Sequence, residues 1–323
     1  NLRITLAVTL ILTFVLSALS GCGYYKKQAQ PSSPAPKEQA LAGFPVTLKD
    51  GLGRDFKLDK RPERIISLAP SNTEILFALR AGDRVVGVTD NDDYPLEASK
   101  KDKIGGGYDV KVTNMEKIVA LKPDLLVGIV DQKAVLDELQ KLGLRVFAVK
   151  AQSIGGTLDA IKAISKLTGQ ANEGERVVKD MEGRLDAISS KVKGLAEKDR
   201  PRVFHEVWFD KGKGEVMTSG PGSFLDEMIR LAGGVNAASD AKAAWANYSM
   251  EALIKNNPDI ITTPFKESVE DLKQGKRKGW TDIKAVKDGR VVLLDQNLIS
   301  RPGPRIVDGL EQLARGIHPQ LFK

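Results

Sequence analysis

The chain has 323 residues, 41% of them hydrophobic and 28% charged, enough for one or two globular domains with real cores. Its net charge of +7 and pI near 9.2 would allow a nucleic-acid or anionic-surface partner, but acids and bases are mixed throughout. No Lys/Arg block is interleaved with aromatics, which argues against nucleic acid, and a lone cysteine, Cys22, excludes an internal disulfide or a Cys-based metal site or nucleophile in the body.

Residues 1–21 read as a signal peptide. Arg3 supplies a thin positive region, and Ile4 to Leu16 is apolar but short for a membrane span. Leu19-Ser20-Gly21-Cys22 follows the pattern of a bacterial lipobox, in which Cys22 would take lipid and become the mature N-terminus. Residues 22–43, rich in Pro, Ser, Ala and Gln, read as a flexible tether. An anchored, extracytoplasmic body is expected, at the cell surface or in a periplasm.

The body begins with an alternating stretch, residues 44–59, around the hairpin signal Asp50-Gly51. A buried strand is expected at Arg64 to Leu68. Ser71-Asn72-Thr73-Glu74 fits a capping box opening a helix to about Leu79. Then come a strand at Val85 to Val88, a turn at Asp93-Tyr94-Pro95 and a glycine-rich loop, Gly105 to Tyr108. A helix from about Met115, a strand at Leu125 to Ile129, a helix at Val135 to Leu142 and a strand at Val146 to Val149 complete a first lobe, residues 44–155.

Residues 156–198 read as a helical connector, broken at Thr168-Gly169. Apolar positions at helical spacing run through residues 171–196, from Val177 to Val192. Such a helix is roughly 40 Å long, about one small domain across. A second lobe, residues 199–323, has strands at Arg202 to Phe209, Ile260 to Thr263 and Val291 to Leu294, with helices at 223–232, 249–256 and 304–316. Alternating strands and helices argue for parallel sheets with covering helices.

Three phrases recur in the same order. TEILFALRAGDRVVG (73–87) matches FLDEMIRLAGGVNAA (224–238). MEKIVALKPD (115–124) matches MEALIKNNPD (250–259), and LRVFAVK (144–150) matches GRVVLLD (289–295). One α/β unit therefore occurs twice, and two such lobes enclose a cleft, a favoured ligand site.

The phrases at 64–95, 114–128, 218–236 and 300–319 resemble the solute-binding proteins of bacterial ABC importers for cobalamin and ferric siderophores. The resemblance spans nearly all of residues 44–320. It implies an α/β fold of two Rossmann-like lobes with parallel sheets, joined by one long rigid α-helix, with ligand between the lobes. It also implies partners, a permease dimer and its ATPase, and a body taken to be monomeric. Glu74 and Glu251 match the exposed glutamates, one per lobe, that dock such proteins onto permease arginines. Each also reads as an acid complementing a helix N-terminus. Tyr108, Trp208 and Trp245 match aromatics that wall the cleft around a corrin, and a core role is the other reading for the two tryptophans. Tyr94 is either a rim or a turn residue. Arg301 matches an arginine facing ligand amides, and it would suit an anionic siderophore equally. Asn297 stands where such binders can carry Asp. Arg305 reads as structural.

Cobalamin or a related corrinoid is the expected ligand, with a ferric siderophore or haem as the alternative. Only two histidines, His205 and His318, are present, which argues against a bare metal ion. His205 reads as a core residue or an axial ligand to a bound macrocycle. There is no Gly-x-Ser-x-Gly, His-Glu-x-x-His or P-loop motif, so neither an enzyme nor a resident cofactor is expected. A surface adhesin or sensor is a weaker alternative.

Overall fold

A computed structural model describes residues 43–322. The leader, Cys22 and nearly all of the tether lie outside the described residues. The body opens with the antiparallel hairpin β1 (Val46–Lys49) and β2 (Asp55–Leu58). Asp50 ties its turn by accepting the backbone N–H groups of Leu52 and Arg54.

The first lobe then alternates β3 (Ile65–Ser67), α1 (Pro70–Ala78), β4 (Val85–Val88), α2 (Leu96–Ser99), β5 (Asp102–Lys103), α3 (Met115–Ala120), β6 (Leu125–Ile129), α4 (Lys133–Lys141) and β7 (Val146–Val149). Its five strands are all parallel, in the order β5-β4-β3-β6-β7. Strands β3 and β7 are buried at every residue, as expected of strands covered on both faces.

Two helices lead out of this lobe, α5 (Ile154–Leu167) and α6 (Ala171–Val192). Gly169, at φ +65°, takes the left-handed turn that ends α5. The connector is thus a packed helix pair, with α6 of 22 residues spanning about 33 Å. The second lobe seals both helices. Glu227 accepts the backbone N–H of Ile154 at 2.8 Å, at the start of α5. Arg184 of α6 pairs with Asp308 at 2.5 Å and Glu311 at 3.0 Å.

The second lobe comprises β8 (Arg202–Asp210), β9 (Glu215–Ser219), α7 (Phe224–Leu231), β10 (Val235–Asn236), β11 (Trp245–Tyr248), α8 (Met250–Asn256), β12 (Ile260–Thr263), α9 (Lys266–Lys273), α10 (Lys284–Lys287), β13 (Val291–Leu293), α11 (Gln296–Ser300) and α12 (Ile306–Ile317). Strands β10, β8, β12 and β13 are parallel, in that order. On the far side β9 pairs antiparallel with β8, and β11 antiparallel with β9. This sheet therefore keeps the expected parallel strands and adds an antiparallel edge. The antiparallel edge comes from a tight hairpin at Asp210–Glu215, in which the Asp210 side chain accepts the backbone N–H groups of Gly212 and Lys213.

The duplication is exact enough to show in detail. Strand order β4-β3-β6-β7 in the first lobe matches β10-β8-β12-β13 in the second. Asn114 caps α3 and Ser249 caps α8. Each helix is followed by a left-handed residue directly before proline, Lys122 at φ 46° and Asn257 at φ 39°. The next aspartate then clamps the neighbouring strand: Asp124 accepts the N–H groups of Glu63 and Arg64, and Asp259 that of Arg202. The repeated Pro-Asp is thus a strand clamp.

A single buried apolar cluster runs from Leu58 and Ile75 through Ile161, Val177 and Met181 to Met228 and Leu310. The lobes share this core through α5 and α6, so opening them as rigid halves would break packed apolar surface.

Candidate functional site

The cleft follows from strand direction. Parallel strands end their carbonyl edges on one side of a sheet, and the loops leaving that edge form a ligand crevice. In the first lobe Ser71 follows β3, Asp90, Asn91 and Asp93 follow β4, Tyr108 follows β5, Ile129 ends β6 and Gln152 follows β7. In the second lobe Gln296, Asn297, Ser300 and Arg301 follow β13, while Ser223, Phe224 and Trp245 come from the start of α7 and from β11. Together they line two contiguous compartments of about 640 and 510 Å³ that share Tyr108, Ile129, Ser300 and Pro302.

Tyr108 stands 56% exposed between the compartments. Its loop is glycine-built for a reason. Gly105 and Gly107 have φ of +89° and +76°, and a Cβ on Gly107 would meet the Leu68 carbonyl oxygen at 2.6 Å. Trp245 lies on the edge strand β11. It is half exposed and packs edge-on against Phe224, ring centres 5.6 Å apart. The two rings form one apolar wall.

The polar side of the cleft ties the lobes together. Arg301 donates to Asp93 at 2.6 Å, to Glu74 at 3.3 Å and to the Asn91 carbonyl at 3.2 Å. Asn297 donates to Asp93 at 3.1 Å. Arg301 holds the Asp93 carboxyl below the usual carboxylate range, chiefly through that hydrogen bond. Arg301 is the only basic side chain lining either compartment among the described residues, against the acids Asp90, Asp93 and Asp131.

Glu74 is a correction. Its side chain is 2% exposed. Arg305 grips it with two bonds, Nε to Oε2 at 2.9 Å and Nη2 to Oε1 at 2.6 Å, and the Arg305 guanidinium lies 3.7 Å from the centre of the Tyr94 ring. Glu74 raises the Arg305 pKa, mainly through these bonds. The expected capping box does not form either. Pro70 takes the first helical position, Ala69 becomes the N-cap, and no side chain caps the helix. Glu74 therefore sits one turn in and points at the other lobe. Arg305 is structural as expected, but as a bridge between lobes. Glu251 is exposed in the first turn of α8.

Trp208 is 48% exposed but lines neither cleft compartment, contrary to expectation. It belongs to a separate depression beside Phe209, Pro264 and Phe265. Tyr94 lies under Arg305 and does not line the compartments. His205 is 2% exposed, with Nδ1 2.8 Å from the Thr262 hydroxyl, and burial lowers its pKa to about 4. It is a core residue, so its reading as an axial ligand falls away. His318 is likewise buried against the Gly233 carbonyl. No group of three or more potential metal ligands occurs among the described residues. Asp92 is buried, accepts the Thr89 hydroxyl and is raised in pKa by burial, while Asp93 pairs with Arg301.

A periplasmic binding protein family model matches residues 65–298. The chain belongs to that family. Its members are non-enzymatic transport components, the solute-capturing part of ABC importers that works with a permease and an ATPase. The chain is 37% identical to an uncharacterized ABC transporter substrate-binding lipoprotein, YvrC of Bacillus subtilis, over 94% of each chain. It is 30% identical to a cobalamin-binding protein of Halobacterium salinarum, over 89% of this chain and 79% of the relative. A solved structure of a possible iron-binding, periplasmic solute-binding protein from Staphylococcus epidermidis superposes with a TM-score of 0.70 at 36% identity, covering 80% of this chain and all of that one.

Within this periplasmic binding protein, the cleft holds residues that sequence reasoning missed: Asn91, Gln152, Phe224 and Gln296. Asn91, Gln152 and Gln296 each lie three residues past the end of a parallel strand, and the rule that ligands meet the carboxyl edges of parallel strands would have found them.

Proposed function

We propose that the protein captures a corrinoid in the interlobe cleft and presents it to an ABC importer. The observation that carries this reading is the make-up of the cleft lining. It combines three aromatic rings, Tyr108, Phe224 and Trp245, with four carboxamides, Asn91, Gln152, Gln296 and Asn297. Three lining acids face one arginine that is already paired with Asp93. Such a lining favours a large, flat, amide-fringed ligand without net negative charge. A dicarboxylate macrocycle such as haem, or an anionic ferric siderophore, would enter against the acids. Similarity to a cobalamin-binding relative supports the reading. Similarity to a possible iron-binding protein favours the alternative, a ferric siderophore or haem.

Presentation to the permease rests on Glu251, the exposed acid of the second lobe. On the first lobe Glu74 would reach a partner only after leaving Arg305. Attachment to the membrane is assigned to a lipid on Cys22, supported by the lipoprotein relative. Replacing Cys22 by Ser should release the protein from the membrane fraction into the soluble one. Retention on the membrane would refute the anchor.

The test is a calorimetric titration of residues 44–323 with cyanocobalamin, haem and a panel of ferric siderophores. Tight one-to-one binding of cyanocobalamin alone is the expected result. Binding of haem or a siderophore instead would overturn the ligand and leave the transport role.

A further inference from the structure

All three carboxylates that line the cleft belong to the first lobe. Asp90 and Asp93 come from the loop after β4, and Asp131 from the turn after β6. The second lobe faces them with the carboxamides of Gln296 and Asn297, the rings of Phe224 and Trp245, and one cation, Arg301. The cleft thus has an acidic wall and a nearly neutral one, in a chain whose net charge is +7.

The charges of the acidic wall are not equivalent. Arg301 neutralises Asp93 at 2.6 Å, and Arg305 neutralises Glu74 behind it. Asp90 and Asp131 are exposed and make no ion pair among the described residues. Asp131 meets only the Gln152 carboxamide, at 3.4 Å. Asp90 lines the larger compartment and Asp131 the smaller, with Tyr108 common to both. The Asp90 backbone N–H donates to the Gly105 carbonyl at 3.1 Å, which fixes its loop to the start of the loop carrying Tyr108. Loss of hydration and, after it, the Asp131 charge hold the Tyr108 hydroxyl above its usual pKa, so that carboxylate acts within the cleft. The first turn of α1 opposes the acids, since Ala69, Pro70 and Ser71 line the larger compartment and no side chain caps that helix. A helix end carries roughly half a charge, against two full carboxylates, so the wall stays negative.

A carboxamide and a carboxylate have nearly the same shape, so packing alone cannot tell them apart. Charge can. A carboxamide N–H donates to a facing carboxylate, whereas a second carboxylate has no proton to donate and is repelled. Given the corrinoid reading, on which this rests, we propose that Asp90 and Asp131 are specificity-determining residues that read the amidation state of the corrin fringe. They accept the amide arms of a fully amidated corrinoid and reject a corrinoid that carries free carboxylates on the arms facing the first lobe.

The experiment titrates the full chain by calorimetry with cyanocobalamin and with its separated monocarboxylates, in which one propionamide arm is hydrolysed to the acid. Isomers whose free acid faces the first lobe should bind about tenfold more weakly than cyanocobalamin, the size of one screened like-charge contact. Asp90→Asn and Asp131→Asn combined should bring the acid-to-amide ratio of Kd values within about twofold of one. Both positions are exposed, so this variant should fold. Glu97→Gln removes an exposed acid of the same lobe that lines neither compartment, and it should leave the ratio as in the parent. Cyanocobalamin and every monocarboxylate binding equally well would overturn the proposal. A gap that persists in the combined variant would refute it too, because discrimination would then come from the lost amide donor alone. So would a gap that closes equally in Glu97→Gln, which would make net charge the cause. Failure of cyanocobalamin itself to bind is a separate result, and it would remove the corrinoid reading together with this inference.

Discussion

Replacing Glu74 by Ala separates an internal counter-ion from a docking residue. The carboxylate is 2% exposed and accepts three hydrogen bonds, two from Arg305 and one from Arg301. Removing it leaves Arg305, 21% exposed, with no other paired acid among the described residues and with Tyr94 over its face. Breaking a fully buried pair costs about 3–5 kcal/mol, and the partial exposure of Arg305 reduces this to roughly 2–3 kcal/mol. For a body of this size that is a fall in Tm of roughly 3–5 °C. The second lobe gives the control: Glu251→Ala should stay within about 0.5 kcal/mol of the parent, since the residue is an exposed first-turn acid. The assay is thermal and urea unfolding, combined with a double-mutant cycle through Arg305→Ala. Removing both partners should recover much of the loss, because no orphan charge remains. If Glu74→Ala unfolds like the parent while importer stimulation is lost, the carboxylate faces the permease and the interlobe bridge is not its role.

Four further outcomes follow from the same geometry. Trp245→Ala and Arg301→Ala should each weaken cyanocobalamin binding by roughly tenfold in calorimetry, as expected for one aromatic wall or one charged donor. Asp93→Asn should release Arg301 from its partner and improve haem binding relative to cyanocobalamin by about tenfold, read as a ratio of Kd values. Because Arg301 depresses the Asp93 pKa, this bond is present above about pH 4 and is lost only as pH falls through the lowered value, so ligand affinity should be flat between pH 6 and 8. His205 is held neutral by burial, with a folded pKa of about 4, below its unfolded value near 6.5. Its contribution is complete above pH 6.5 and falls by up to roughly 3 kcal/mol on approach to pH 4, so His205→Asn should unfold with a shallower acid dependence over that window.

The duplicated phrases carried the fold because they are local. A helix, a left-handed residue before proline and an aspartate that clamps the next strand are set by neighbours in sequence, and both copies fold alike around Lys122-Pro123-Asp124 and Asn257-Pro258-Asp259. Tyr108 was legible for the same reason, since its glycine loop is a local device. The antiparallel edge β9–β11 was not legible, because short strands of mixed polarity take their state from the strand beside them. That pairing puts Trp245 on an edge strand, and Trp208 stands beyond both cleft compartments.

Glu74 shows the limit most plainly. From sequence alone it is an acid near a helix start, with a cap or an exposed surface as its natural roles. Its partner, Arg305, lies 231 residues away. Only the packing of the second lobe onto the first brings that guanidinium to it, buries the pair and leaves Glu251 as the exposed acid. Sequence determined the two α/β units and their order, since these depend on hydrophobic period and turn chemistry. Tertiary structure decided which charges meet and which rings share the cleft, because contacts between distant residues are set by how the lobes pack and not by spacing along the chain.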